Sequence, residues 1–208
     1  MRVFDTLAQD ATSYDVFHVR KDTTTPAVAD NQADIALAQT QADVSNIDVD
    51  FSDTGGSLLS YAQYTAWSDG YLTGGEVIPW TNIVTGINAA SYTQNWSVNF
   101  AALPNLAYSY ITVRVYDNAG NLKTQNVFSV YKNASAPAIT DNQPGDDTWR
   151  SANTGTYNVD FQSQSGQNLD KFQVRASTSA TGGPYSPDWT DVVTVIGAVN
   201  YTADWQLP

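Results

Sequence analysis

Few side chains in this sequence can do chemistry, and their types already narrow what it could be. There is no Cys and His18 is the sole His, so neither a Cys–His nucleophile pair nor a conventional zinc site can be assembled. His18 lies in the alternating run Val16-Phe17-His18-Val19-Arg20, an ordinary surface position of an expected strand. Acids are plentiful, with 20 Asp and the single Glu76. Paired carboxylates hydrolyse glycosides, but Asp also bonds backbone amides at turns, and no pair here is singled out. The chain is therefore not expected to be an enzyme.

Hard cations need several oxygen ligands at ~2.3–2.6 Å. Asp30-Asn31-Gln32 and Asp141-Asn142-Gln143, the latter followed by Asp146 and Asp147, place side-chain oxygens close together in loops. The candidate metal ligands are thus Asp30, Asn31, Asp141, Asn142, Asp146 and Asp147, and Ca2+ is the only cofactor they suggest. The twelve-residue calcium loop with its terminal Glu is absent, and the same residues would also serve as Asx turns after a Pro-led strand. Six Trp and twelve Tyr provide a different chemistry, the stacking of pyranose rings on aromatic faces. Trp80 and Trp189, like Trp96 and Trp205, fall at matching places in a repeat, which favours packing. Trp149 and Tyr185 are unshared and are the first candidates for contact with a polysaccharide ligand.

That repeat is what must position all of these residues. PAVADNQ begins at Pro26 and PAITDNQ at Pro137, 111 residues later. Val49-Asp50-Phe51 matches Val159-Asp160-Phe161, and Tyr92-Thr93 with Trp96 matches Tyr201-Thr202 with Trp205. A third, partial copy opens the chain: Arg2-Val3-Phe4-Asp5 reads like Arg114-Val115-Tyr116-Asp117, and VFHVRKD from Val16 like VFSVYKN from Val127. Within a unit, period-2 alternation predicts strands after Pro26, at Ile47–Phe51, Tyr61–Trp67, Ile78–Thr85, Tyr92–Phe100, Ile111–Tyr116 and Val127–Tyr131. About seven short strands in about 110 residues imply an all-β fold of tandem Greek-key sandwiches.

The stretches VRVYDNAGN at Val113–Asn121, FSDTGGSL at Phe51–Leu58 and KNASAP at Lys132–Pro137 resemble the tandem immunoglobulin-like or fibronectin type III-like modules of large bacterial extracellular proteins. The resemblance spans the whole chain and implies immunoglobulin-like sandwiches of about seven strands each. It also implies an extracellular or cell-surface location and a structural or adhesive role. Without a Cys pair, a vertebrate-type immunoglobulin domain is not indicated.

The expected organisation is a terminal hairpin at 1–25, a complete module at 26–136, and a module at 137–208 that lacks its last two strands, so the first and last units are incomplete. The missing pair is what the first 20 residues resemble. Val3, Val16, Phe17 and Val19 are accordingly the expected assembly residues. The open unit is completed by absent neighbouring sequence, by another copy in a head-to-tail filament, or within the chain; strand complementation between neighbouring copies or modules is the expectation. The alternative is a carbohydrate-binding module of a secreted multidomain enzyme. A net charge of −12, with nine scattered Lys and Arg, argues against nucleic acid. No apolar run approaches the ~18 residues of a membrane span, and the opening segment lacks the pattern of a signal peptide.

Overall fold

Arg2–Phe4 (β1) and Asp10–Thr12 (β2) pair antiparallel as a sheet of their own, with Val3 opposite Ala11. They open a computed structural model that is all-β and describes every residue except 146–148, 150, 153, 180 and 181. Asp146 and Asp147 thus lie outside the described residues. Asp5 builds the turn between the two strands: its Oδ1 accepts the Leu7 and Gln9 amides, each at 2.9 Å, and Ala8 adopts a φ of 64°. Where the alternation of Val16–Arg20 predicts the return strand, the chain has none. A strand needs a partner along at least one edge, and among the described residues no strand pairs with this segment.

Contacts divide the chain into two units. One comprises Met1–Ala36, Thr40–Leu103 and Tyr108–Val130, the other Leu37–Gln39, Pro104–Ala107 and Tyr131–Pro208. The first unit continues with Ala27–Asp30 (β3), Ile35–Ala38 (β4), Val49–Ser52 (β5), Leu59–Trp67 (β6), Glu76–Thr85 (β7), Ser91–Tyr92 (β8), Ala107–Asp117 (β9) and Leu122–Lys132 (β10), apart from Leu37, Ala38, Ala107, Tyr131 and Lys132 at the ends of β4, β9 and β10. Two sheets result, β3-β5-β8 and β4-β10-β9-β6-β7. Strand β4 goes unforeseen in the sequence because IALA is short and bounded by no strong turn signal. The strand expected over Tyr92–Phe100 shrinks to two residues and an isolated Ile47–Trp96 bridge. The facing segment Gln41–Val44 is a 3-10 turn, so it cannot offer a continuous ladder.

Alternation decides what is buried. Ile111, Val113 and Val115 of β9 are fully buried, while Arg114 and Tyr116 face outward. Val49 and Phe51 of the three-stranded sheet meet the same core, as do Ala62, Tyr64 and Ala66 of β6 and Phe128 and Val130 of β10. Trp96 joins it, its ring 5.2 Å from Tyr64 and 6.4 Å from Phe128. This arrangement is compatible with a β-sandwich. Phe128→Ala is expected to cost about 3–5 kcal/mol through lost transfer energy and the cavity left behind. Chemical denaturation read by tryptophan fluorescence checks it, and a loss below about 1 kcal/mol would show that this core is not packed as described.

The second unit contains Ala138–Asp141 (β11), Val159–Gln162 (β12), Phe172–Val174 (β13), Thr190–Val193 (β14) and Asn200–Tyr201 (β15), in sheets β11-β12-β15 and β13-β14. Its ladder repeats that of the first unit. Asp141 lies opposite Val159 as Asp30 lies opposite Val49, and Phe161 opposite Tyr201 as Phe51 opposite Tyr92. The Leu169 amide donates to the Ala198 carbonyl at 2.8 Å, as Leu59 donates to Ala89 at 2.9 Å. Among the described residues this unit has no counterpart of β9 and β10. Equivalent positions are consequently less covered: Phe51 is 1% exposed whereas Phe161 is only partly buried, and Ile139 is 70% exposed. No helix among the described residues is long and apolar enough to cross a membrane.

Candidate functional site

The two Asp-Asn-Gln loops are built alike. Asp30 Oδ1 accepts the Gln32 amide at 3.1 Å, and Asn31 Nδ2 donates to Asp48 Oδ1 at 3.3 Å and Asp50 Oδ2 at 3.1 Å. Gln32 Oε1 in turn accepts the Asp48 amide. In the second unit Asp141 accepts the Gln143 amide at 2.9 Å, Asn142 Nδ2 donates to Asn158 Oδ1 and Asp160 Oδ2, and Gln143 Oε1 accepts the Asn158 amide at 2.9 Å. Each triplet clasps the end of one strand to its neighbour, an Asx turn with two cross-strand ties. The amide nitrogens of Asn31 and Asn142, not their oxygens, face the carboxylates. Burial pushes the Asp30 carboxyl above its usual range, against the Gln32 amide, and the nearby Asp34 adds to the rise.

A different group of carboxylates converges, and only the fold reveals it. Asp22, Asp53 and Asp117 bring one oxygen each within 4.8 Å of one another, and Asp53 and Asp117 are 6% and 3% exposed. Asp53 follows β5 and is fixed by the Gly55 amide at 3.0 Å and the Leu58 amide at 3.1 Å. Asp117 ends β9, accepting the Asn121 amide at 2.8 Å and Asn121 Nδ2 at 2.7 Å. Asp22 reaches in from the chain ahead of β3 and accepts the Thr24 amide at 2.9 Å and the Ser57 amide at 3.0 Å. A Cβ at Gly55 would run into the Asp22 carboxylate, so a larger residue there would displace that side chain. Each carboxylate oxygen can accept a second bond, so three of them together could hold a hard divalent cation such as Ca2+.

Asp22 also links this cluster to pH. The Ser57 hydroxyl beside it, followed by the Thr24 amide, holds its carboxyl below the usual carboxylate range. A depressed folded pKa gives stability that is present above the unfolded value and is lost as pH falls through the folded one. Asp69 acts in the same sense, through the Thr73 hydroxyl first and then backbone amides. Asp22→Asn is therefore expected to leave the melting temperature less dependent on pH below about pH 4. Melting curves across the acid range check this, and an unchanged acid slope would contradict it.

The remaining candidate residues are not members of this group. Trp149 is 100% exposed. Tyr185 is partly buried under Arg175, whose guanidinium lies 3.9 Å from its ring and 4.4 Å from that of Trp189. The equivalent Trp80 carries Arg114 at 4.2 Å, so this Trp position serves arginine stacking in both units. His18 is exposed and lies 3.5 Å from the equally exposed Asp15. The residues expected to assemble are uncovered: Val3 is 65% exposed, Val16 47%, Phe17 69% and Val19 78%. In the second unit a cavity of ≈ 340 Å³ opens among Ile139, Phe161, Leu169, Phe172, Trp189 and Ile196. In comparisons with known proteins, the chain matches no protein-family model and no curated protein.

Proposed function

We propose that this chain is a non-catalytic structural or adhesive segment of an extracellular or cell-surface protein, built from tandem Greek-key immunoglobulin-like sandwiches. Its modules are 26–136 and 137–208, with 1–25 the closing hairpin of another module. The observation that supports this most is the repetition of one ladder in both units, down to the Asp-Asn-Gln clasp and the Trp bridges at Ile47–Trp96 and Tyr157–Trp205. Repetition of an architecture suits spacing and tethering. Ca2+ held by Asp22, Asp53 and Asp117 fits such a role, because it would tie the chain ahead of β3 to two loop ends. Pulling single molecules tests the mechanical reading. The first unit should resist and then yield in one step, releasing roughly 35 nm of chain at ~3.3–3.6 Å per residue. Smooth extension without a discrete step would contradict it.

The full exposure of Trp149 favours a second reading, a carbohydrate-binding module. On that reading a soluble polysaccharide raises the melting temperature of the wild-type chain and not of Trp149→Ala.

A further inference from the structure

The open face of the second unit has an internal template that specifies its occupant. In the first unit β9 runs along β6 with Val115 opposite Ala62, Tyr116 opposite Tyr61 and Asp117 opposite Leu59. The repeat equates Ala62, Tyr61 and Leu59 with Phe172, Lys171 and Leu169: Ala62 pairs with Val84 as Phe172 pairs with Val193, and Leu59 and Leu169 make the same backbone bond to Ala89 and Ala198. The edge of β13 that corresponds to the β9 side of β6 carries no strand among the described residues. The apolar cavity beside it is lined by Phe172, Leu169 and Phe161.

The first turn of the chain has the shape of the turn that joins β9 to β10 in the first unit. Asp117 accepts the Asn121 amide on its side chain, and its backbone bonds Gly120 and Asn121; Asp5 does the same with Gln9, Ala8 and Gln9. Ala8 and Gly120 both have positive φ, 64° and 89°. The turn is therefore the same, in the register that equates Val3 with Val115 and Phe4 with Tyr116. Val3 matches Val115 in that register, and in the sequence Phe17 and Val19 match Phe128 and Val130 with one extra residue between the two matches; the three counterparts are 0–2% exposed in the closed unit.

We infer that residues 2–19 of one copy close the second unit of another copy, entering as an added strand pair along β13. The inference rests on the tandem-module reading above. Phe4 lies opposite Lys171 and Val3 opposite Phe172, and the irregular segment Val16–Val19 becomes a strand once β-structure lies beside it. Because donor and acceptor are different surfaces of one chain, the contact is head-to-tail, which builds a ring where the rotation between copies closes and an open filament where it does not.

The chain has no Cys, so a disulfide reports the register directly. Chains carrying Phe4→Cys are mixed with chains carrying Lys171→Cys under mild oxidation. A rapid heterodimer is expected, whereas Phe4→Cys with Val195→Cys should cross-link at least ten-fold more slowly. Sedimentation of the unmodified 208-residue chain should show mass rising with concentration, and Val3→Asp with Phe17→Asp should abolish the rise. A chain that stays monomeric at all concentrations, or cross-links both pairs equally, overturns the inference. If the first unit still yields in one mechanical step, the module reading survives that failure; if it does not, both fall.

Discussion

Residues 137–208 expressed alone are expected to show no cooperative unfolding transition, whereas the chain lacking Arg2–Val19 keeps the transition of the first unit. The first unit closes its core with Ile111, Val113 and Val115 from β9 and Phe128 and Val130 from β10, each 0–2% exposed. Burial of such side chains is worth about 1.5–3 kcal/mol apiece, on the order of 10 kcal/mol together. A whole domain is stable by only ~5–15 kcal/mol. The second unit has no equivalent contribution among its described residues, and Ile139 at 70% and Trp189 at 56% exposure record its absence. Calorimetry of the two shortened chains checks this. A sharp transition in 137–208 would mean that β11–β15 form a sufficient core unaided.

Asp117→Ala is expected to destabilise the first unit by roughly 3–5 kcal/mol, because it removes two charge-assisted bonds to Asn121 worth about 1.5–3 kcal/mol each. The bonds at 2.7 and 2.8 Å hold the turn that joins β9 to β10, so the loss is felt across the five-stranded sheet. A second arm isolates the cation. If Asp22, Asp53 and Asp117 hold Ca2+, saturating Ca2+ at about 100 times Kd adds ~2.7 kcal/mol to the wild-type protein. Asp117→Asn, which keeps the side-chain shape but removes the charge, should lose most of that gain. Melting curves with Ca2+ and with chelator separate the effects; identical curves for the wild type would leave Asp117 a turn residue only.

The repeat was readable because both copies keep the same residues at strand ends and core positions, so Pro26 with Pro137 and Trp96 with Trp205 set the register. Long strands with clean alternation, such as Ile111–Tyr116, were legible for the same reason. Strand β4 was not, since its four residues owe their order to β10 alongside rather than to any local signal. The return of the first hairpin at Asp10–Thr12 was hidden for the converse reason. Val16–Arg20 has the pattern of a strand, but a pattern cannot pair without a neighbour. The Asp-Asn-Gln triplets stood out as oxygen-rich, yet their oxygens and amides are turned toward strand ends. Asp22, Asp53 and Asp117 could not be grouped from spacing, because only the pairing of β6 with β9 brings the Asp53 and Asp117 loops together. The one local clue was that Asp53 and Asp117 each lead a Gly-containing turn, DTGG and DNAG.

Amide hydrogen exchange on the chain carrying Val3→Asp with Phe17→Asp, in which no strand is added from another copy, tests the central claim most directly. Amides of β6 and β9, around Ala62 and Val113, should exchange only through global unfolding, and those of β12 and β13, around Phe161 and Phe172, at least ~1,000-fold faster through local opening. Equal protection in the two units would show that the second core is already sealed.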